Sequence, residues 1–192
     1  MRALSEKKLT SIPQIDLGDL LLRRIEPNDY KDVYDYGKDP EVTKHLTWDY
    51  YKSEDEAIFA IKRVFLQRPK MQLPAAHAII HKQDNKMIGT CDFCFVDWEK
   101  REGEIGYVLH KSYWNKGYMT RVLCAVMEFG YRYLKLKTII IRHLPDNKAS
   151  QRVIEKCGFL RIEDSFHEPT NQLVPTYKLT KRDFFHWKKG RK

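Results

Sequence analysis

The chain has 192 residues, 42% of them apolar, enough for one domain with a sizeable core, and a formal charge of +9. No stretch approaches the roughly 18 consecutive apolar residues of a membrane helix, and the opening MRALSEKKLTSIPQ lacks the apolar run of a secretion signal. A soluble, cytoplasmic protein with no membrane partner is expected. The basic excess is scattered except at Lys188, Lys189, Arg191 and Lys192, which argues against nucleic acid as the main partner and suits an anionic cofactor or an acidic or ribosomal target.

Residues 1–19 are polar and irregular, with Pro13 and Gly18, and read as a loosely held arm. Leu20 to Ile25 is a short strand. Pro27 suits the first turn of a helix running through Tyr30, Val33 and Tyr34 to Gly37, and Asp39-Pro40 stops it. Ser53-Glu54-Asp55-Glu56 is a capping box, after which Ala57, Ile58, Ile61, Val64 and Phe65 form a helical stripe closed by Pro69. Beyond Pro74 the period changes to two. Strands 76–81 and 87–96, joined by the polar turn 82–86, and a third strand from Glu104 to His110 predict an antiparallel meander.

A loop containing Gly117 then leads into a helix ending near Tyr133, with Thr120, Leu123, Cys124, Met127 and Tyr131 inward. Strand 137–144 follows, then a helix from Asn147 to Cys157 closed by a left-handed Gly158. Two last strands fall near 160–166 and 174–179. The four cysteines, Cys91, Cys94, Cys124 and Cys157, read as buried thiols. No second C-x-x-C completes a zinc site, and residues three apart on a regular strand face opposite ways. No metal is expected. The sum is a mixed, mostly antiparallel α/β sheet of about seven strands with helices on both faces, spanning 20–187, with a basic tail at 188–192.

Strand, glycine-bearing loop and helix N-terminus in that order is an arrangement that cradles phosphate, because the first helical N–H groups lack partners and the helix dipole favours an anion. The run GEIGYVLHKSYWNKGYMTRVL, followed by IIIRHLPDNKASQRVIEKCGF, resembles the acetyl-CoA-binding core of the GNAT acyltransferases. The likeness is greatest to the branch that acetylates the N-termini of ribosomal proteins. It is close over about 60 residues and looser from Leu20 to Phe184.

The resemblance implies a pyrophosphate loop at Trp114, Asn115, Lys116, Gly117, Tyr118 and Met119, where the family pattern is Q/R-x-x-G-x-G/A. Trp114 replaces the usual Gln or Arg, as in the ribosomal-protein branch, and Met119 replaces a small residue. A side chain there leaves the amides free if it points into the core. Lys116 and Thr120 read either as phosphate contacts or as a solvated and a capping residue. Asn147, Ser150, Gly158 and Phe159 resemble the family's second block, which places Asn147 near the pantetheine arm. A helix N-cap is the alternative, and the two roles are compatible.

Attack on a thioester needs a neutral amine, so a base is required, and the leaving thiolate benefits from an acid. Glu104 resembles the family's base, with pairing to a cation or to the substrate amine as its other reading. The usual family Tyr is replaced by Ile154, which leaves Ser150 and Tyr177 as candidate acids. By family analogy the acyl oxygen leans on a backbone N–H near Val108 and Leu109. His45, Trp48, Tyr50 and Tyr51 either line the acceptor pocket or pack a loop. The expected activity is transfer of an acetyl group from acetyl-CoA, as co-substrate, to a primary amine, with a protein N-terminus as the favoured acceptor. The alternatives are a small amine, amino acid or antibiotic acceptor, and, in a different class, a non-catalytic CoA-binding or RNA-associated module. Monomer and homodimer are both compatible with the sequence.

Overall fold

Residues 5–190 are described in the computed structural model of this chain. Helix α1 (Glu6–Thr10) is capped by the Ser5 side chain and buries Leu9 completely. Strand β1 (Ile15–Asp16) pairs with β2 (Leu20–Arg24). From residue 5 onward, then, the expected loose arm is part of the fold. Leu9 anchors it, with its carbonyl accepting from the Ala75 N–H at 2.9 Å. Residues 1–4 lie outside the described residues.

A 3-10 turn (Pro27–Asp29), in which Glu26 and Asp29 exchange capping bonds, opens α2 (Tyr30–Gly37). Asp39 ends α2 and also caps a further short helix, α3 (Pro40–Thr43), by accepting from the Glu41 N–H at 2.9 Å. Helix α4 (Glu54–Phe59) starts at Ser53 as expected, but the hydroxyl makes no cap bond. Instead Glu56 reaches past it to the Lys52 N–H at 2.7 Å. From Ala60 to Phe65 the helix widens into a π turn, with the Leu66 N–H donating to the Ile61 carbonyl. The wider turn advances each side chain by a smaller angle, so Ala57 and Ile61 are buried while Val64, expected inside, is 48% exposed. A 3-10 turn (Arg68–Met71) follows.

Strands β3 (His77–His81), β4 (Lys86–Asp97) and β5 (Glu102–Leu109) form the expected meander, with a bulge at Phe93/Phe95. Next come α5 (Tyr118–Arg132), β6 (Thr138–Arg142) and α6 (Lys148–Lys156). The expected strand at 160–166 is broken at Glu163-Asp164 into β7 (Leu160–Arg161) and β8 (Ser165–His167). After them come β9 (Gln172–Val174), β10 (Thr176–Thr180) and α7 (Lys181–Lys189). Lys188 and Lys189, expected in a tail, close α7, where Lys188 pairs with Glu128. Arg191 and Lys192 lie outside the described residues.

The main sheet has eight strands in the order β1-β2-β3-β4-β5-β6-β10-β7, and β8-β9 is a separate ribbon. Helix α5 covers one face, with Val122, Leu123, Val126 and Met127 wholly buried among Leu22, Ile79, Ile105 and Ile139. Each such side chain contributes about 1.5–3 kcal/mol of burial. On the other face Val33, Tyr36, Ala57 and Ile61 pack on Ala78, Ile80 and Met87. No helix among the described residues is long and apolar enough to cross a membrane.

All pairs in the main sheet are antiparallel except β5 with β6, which run parallel over only Glu102↔Thr138, Gly103↔Ile139 and Glu104↔Ile140. Strand β5 stays on β4 as far as Leu109↔Gly89. Beyond Glu104 the sheet therefore parts between β5 and β6.

His77, on β3, is 1% exposed, with Nε2 unpartnered among the described residues. Burial pulls its imidazole down from 6.5 to about 4. Above 6.5 the ring is neutral folded or unfolded. As pH falls from 6.5 towards 4 the unfolded chain binds the proton first, so stability drops by about 3 kcal/mol. Urea midpoints measured between pH 7 and 4 should fall in the wild type, and His77→Leu should flatten that dependence.

Candidate active site

The parting of β5 from β6 opens a cavity of about 910 Å3. Alternation along β4 and β5 turns Thr90, Asp92 and Cys94, and Glu104, Gly106 and Val108, towards it. The end of β6 adds Arg142 and His143, and the start of α6 adds Asn147 and Ser150. The far wall comes from the loop after α3 and from α4: His45, Trp48, Tyr50, Tyr51, Phe59 and Val64. Trp48 and Tyr51 stack at 4.8 Å, and Tyr51 lies where a Cβ on Gly37 would meet it at 2.5 Å. His45 Nδ1 lies 3.3 Å from Asp146, linking this wall to the start of α6.

Two of the carboxylates lining the cavity, on β4 and β5, each stand beside a guanidinium. Glu104 is held from both sides by Arg142, Nε at 2.9 Å and Nη2 at 2.5 Å, and Arg142 also donates to the Phe166 carbonyl at 3.2 Å, tying β8 to the floor. Asp92 lies 2.6 Å from Arg68, and burial pushes its carboxyl above the usual range against the pull of that cation. Cys94, expected to be buried, is an exposed residue at the bulge, yet desolvation of its sulfur beside Glu104 and Asp92 pushes the thiol up to about 12. The Cys157 thiol faces Thr120 and Cys124 inside the helix layer.

At the other end of the cavity the Tyr107 hydroxyl and Ser150 Oγ share a hydrogen bond of 2.7 Å. Burial pushes the Tyr107 phenol up, so it keeps its proton at neutral pH. Asn147 is the N-cap of α6, Oδ1 accepting from the Ser150 N–H at 3.0 Å. The His110 N–H donates to Ile88 on β4. Strand alternation therefore aims the Val108 N–H at β4 as well, and those of Tyr107 and Leu109 into the parting. The Leu109 carbonyl, on that side, accepts from Trp114 Nε1 at 2.7 Å. Tyr177 is not among the cavity residues. Its neighbour Thr176 bonds Ser165 of the β8-β9 ribbon, so alternation turns Tyr177 the other way, its ring 5.5 Å from that of His143.

The glycine-bearing loop lies beyond β5. Asn115 (φ +60°) and Gly117 (φ +75°) are left-handed, and α5 starts at Tyr118. The Arg121 N–H is the first to bond within the helix turn, to Gly117. The N–H groups of Tyr118, Met119 and Thr120 are thus left for a ligand at the positive end of a 15-residue helix. The Met119 side chain, 6% exposed, points into the core and leaves that face clear. A Cβ at Gly117 would meet nothing, so glycine is there for its backbone angle. Lys116 Nζ lies over the Tyr113 ring at 5.1 Å, and Thr120 is half-buried.

One cavity thus unites His45, Trp48, Tyr50, Glu104, Val108, Asn147 and Ser150, with the loop 114–120 as a separate structure at the head of α5. Sequence reasoning passed over Tyr107, Asp92, Arg68 and Arg142. For Asp92 a signal exists: a lone acid in the apolar run Cys91-Asp92-Phe93 of a two-sided strand. Arg68 and Arg142 carry none, since their partners are 24 and 38 residues away.

A mostly antiparallel sheet parted between two parallel strands, with a left-handed loop and a helix N-terminus of unpartnered N–H groups on one side and a carboxylate-floored cavity, defines the class: an N-acetyltransferase. A family model for the acetyltransferase (GNAT) domain matches residues 19–160, and the chain belongs to the GNAT family. The N-acetyltransferase YnaD of Bacillus subtilis, itself uncharacterized, is 30% identical over 142 residues, 74% of this chain and 79% of that one. Two solved structures share the fold. One is RimL, a ribosomal-protein alpha-N acetyltransferase solved with coenzyme A (TM-score 0.76, 20% identity, 88% of this chain and 98% of that one). The other is spermidine N-acetyltransferase from Vibrio cholerae (TM-score 0.74, 16% identity, 87% and 98%).

Because Arg142 ties the Phe166 carbonyl to the floor, Arg142→Met should loosen the β8-β9 ribbon. Limited proteolysis with chymotrypsin should then cut near Phe166 several times faster, while the melting temperature changes by only a few degrees.

Proposed function

We propose that the chain transfers the acetyl group of acetyl-CoA to a primary amine by direct attack, and that a protein N-terminal amine of the ribosomal-protein kind is its acceptor. The observation that carries this is the parting of β5 from β6, which joins the carboxylate-floored cavity to the Tyr107–Ser150 pair at the start of α6. The pyrophosphate sits on the N–H groups of Tyr118, Met119 and Thr120, with Trp114, Asn115, Lys116 and Gly117 shaping the turn. The pantetheine arm runs past Asn147, whose Nδ2 stays available while Oδ1 caps α6. The acyl oxygen takes the N–H of Leu109 or Tyr107, beside Val108. The Tyr107–Ser150 hydroxyls supply the proton to the departing thiolate, a role Tyr177 is turned away from. Glu104, locked to Arg142, fixes the floor on which the acceptor rests.

The acceptor enters along His45, Trp48 and Tyr50, where Asp49, Asp55 and Glu56 outnumber Lys52. That local acidity within a chain of +9 suits an ammonium-bearing acceptor and disfavours an anionic one. Cys94, the thiol that lines the cavity, is not a nucleophile in this scheme, since a thiol held near 12 supplies almost no thiolate at neutral pH.

Thermal melting with and without acetyl-CoA, followed by thiol release on peptides beginning with alanine or serine and on spermidine, tests the reading. At about a hundredfold excess over Kd the cofactor should raise the melting temperature by about 5–10 °C. Thiol release should be fastest on the peptides. Faster release on spermidine would move the acceptor to small polyamines, and no melting shift at saturation would leave a chain without its cofactor.

Gly117→Val forces a β-branched residue to positive φ, at about 1–3 kcal/mol unless the loop rebuilds. Calorimetric titration should show CoA binding weakened about tenfold, whereas Gly117→Asn, which tolerates that angle, should bind nearly as the wild type does.

A further inference from the structure

Direct attack requires a group that receives the acceptor's ammonium and takes a proton from it. Glu104 is poorly placed for that, since Arg142 occupies both its oxygens. Asp92 differs. It is 8% exposed and lines the cavity, its Oδ2 lies 2.6 Å from Arg68 Nη2, and no donor among the described residues reaches Oδ1. Arg68 cannot swing to cover it, because Nε donates to the Pro74 carbonyl at 3.2 Å and Nη2 also to the Phe93 carbonyl.

Directly opposite Asp92 in the β4-β5 register is Gly106. A Cβ there would come no closer than 3.8 Å to Cys94 Sγ, an ordinary contact, so this position has room for a side chain and leaves it empty. Glu104 and Val108 flank the resulting bay on β5. The Trp48 and Tyr51 rings stand on the far wall of the same cavity, a surface that suits a cation.

We propose that Asp92, anchored by Arg68, is the residue that receives the acceptor's primary ammonium in the bay over Gly106 and takes its proton. The proton step rests on the acetyltransferase reading above. One N–H proton passes to Asp92 Oδ1, and the freed lone pair attacks the acetyl carbonyl carbon. The C–N bond forms, the C–S bond breaks, and the thiolate leaves with its electron pair. It takes a proton from the Tyr107–Ser150 pair, which solvent restores, while the new amide nitrogen gives one proton to solvent. The charged and titratable groups around Asp92 include Arg68, Glu104 flanking the bay on β5, Tyr36 from α2, and Cys91 and Cys94 on its own strand. Burial raises the Asp92 carboxyl, which strengthens it as a proton acceptor.

The test compares wild type, Asp92→Asn, Glu104→Gln and Gly106→Ala. With acetyl-CoA and a short peptide beginning with alanine, Asp92→Asn should lower kcat/KM for the peptide about a hundredfold or more while acetyl-CoA affinity holds within twofold. Gly106→Ala, whose methyl group fits the fold, should raise the peptide KM severalfold. Unchanged peptide kinetics in folded Asp92→Asn, or a loss confined to Glu104→Gln, overturns the assignment. A second readout does not depend on the acceptor's identity or on how Asp92→Asn folds. Propylammonium chloride is titrated into wild type while the carbon-13 resonance of the Asp92 carboxyl is followed. A saturable shift, weakened in Gly106→Ala, is expected, and no shift overturns the proposal. If the shift occurs but no amine gives thiol release, the ammonium site stands and the transferase reading falls.

Discussion

The site depends on a shortage of backbone hydrogen bonds. β5 and β6 share three residue pairs and then separate, although each continues on its other neighbour, β5 with β4 and β6 with β10. Unpaired backbone groups inside a sheet are costly unless something else meets them. Here Trp114 meets one, taking the Leu109 carbonyl with its indole N–H. The remaining N–H groups on that side of β5 face a space open to an acyl group. The same parting lets the start of α6 approach β5 closely enough for Ser150 to bond Tyr107. A fully paired strand would close that approach and leave two unrelated surfaces.

Burying acids next to such an opening has its own cost, which the two arginines offset. A carboxylate taken from water without a partner is strongly disfavoured, while a paired one is roughly neutral in its effect on stability. Glu104 and Arg142 form a two-point contact that fixes both planes, and Arg142 spends a further N–H on the β8-β9 ribbon. Arg68 instead spends its other hydrogen bonds on the backbone at Pro74 and Phe93 and leaves Asp92 a single contact. Two pairs of like composition thus differ in their contacts: Arg142 meets both oxygens of Glu104, while Arg68 leaves one oxygen of Asp92 without a donor among the described residues.

The fold is legible in the sequence wherever local rules act on long segments. The period-two strands 77–81 and 86–97, the helix after Gly117 and the left-handed Gly158 all follow from patterning and turn chemistry. The errors fall where a tertiary contact decides. Residues 6–16 order because Leu9 finds a pocket, Val64 turns outward because a π turn intervenes, and Ser53 cedes its cap to Glu56. Of the site, the loop 114–120 is legible because one contiguous segment builds it. Glu104, Asn147 and Ser150 can be named from their segments, but their partners cannot. Arg142, Arg68 and Tyr107 acquire meaning only when strands distant in sequence lie side by side.

The loop 114–120 and the cavity floor also share a support. Tyr113 and Tyr118 bracket the loop, and both reach the β3-β4 hairpin, Tyr113 donating to Asp84 at 2.5 Å and Tyr118 meeting His81 Nε2 at 3.2 Å. Strand β4 then runs from that hairpin through Thr90 and Asp92 on the cavity face. Five residues of extended strand, roughly 17 Å, separate Met87 from Asp92, and the strand is paired on both sides along much of that length. A paired strand of that length is stiff, so in the proposed scheme the spacing between the loop 114–120 and Asp92 is set by the sheet. Side-chain adjustment is left to the far wall, where Tyr50, Phe59 and Val64 stand exposed on a loop, the last residue of α4 and a π turn. On the proposed scheme, rigidity thus lies where the reacting atoms of every turnover are the same, and adaptability where acceptors differ.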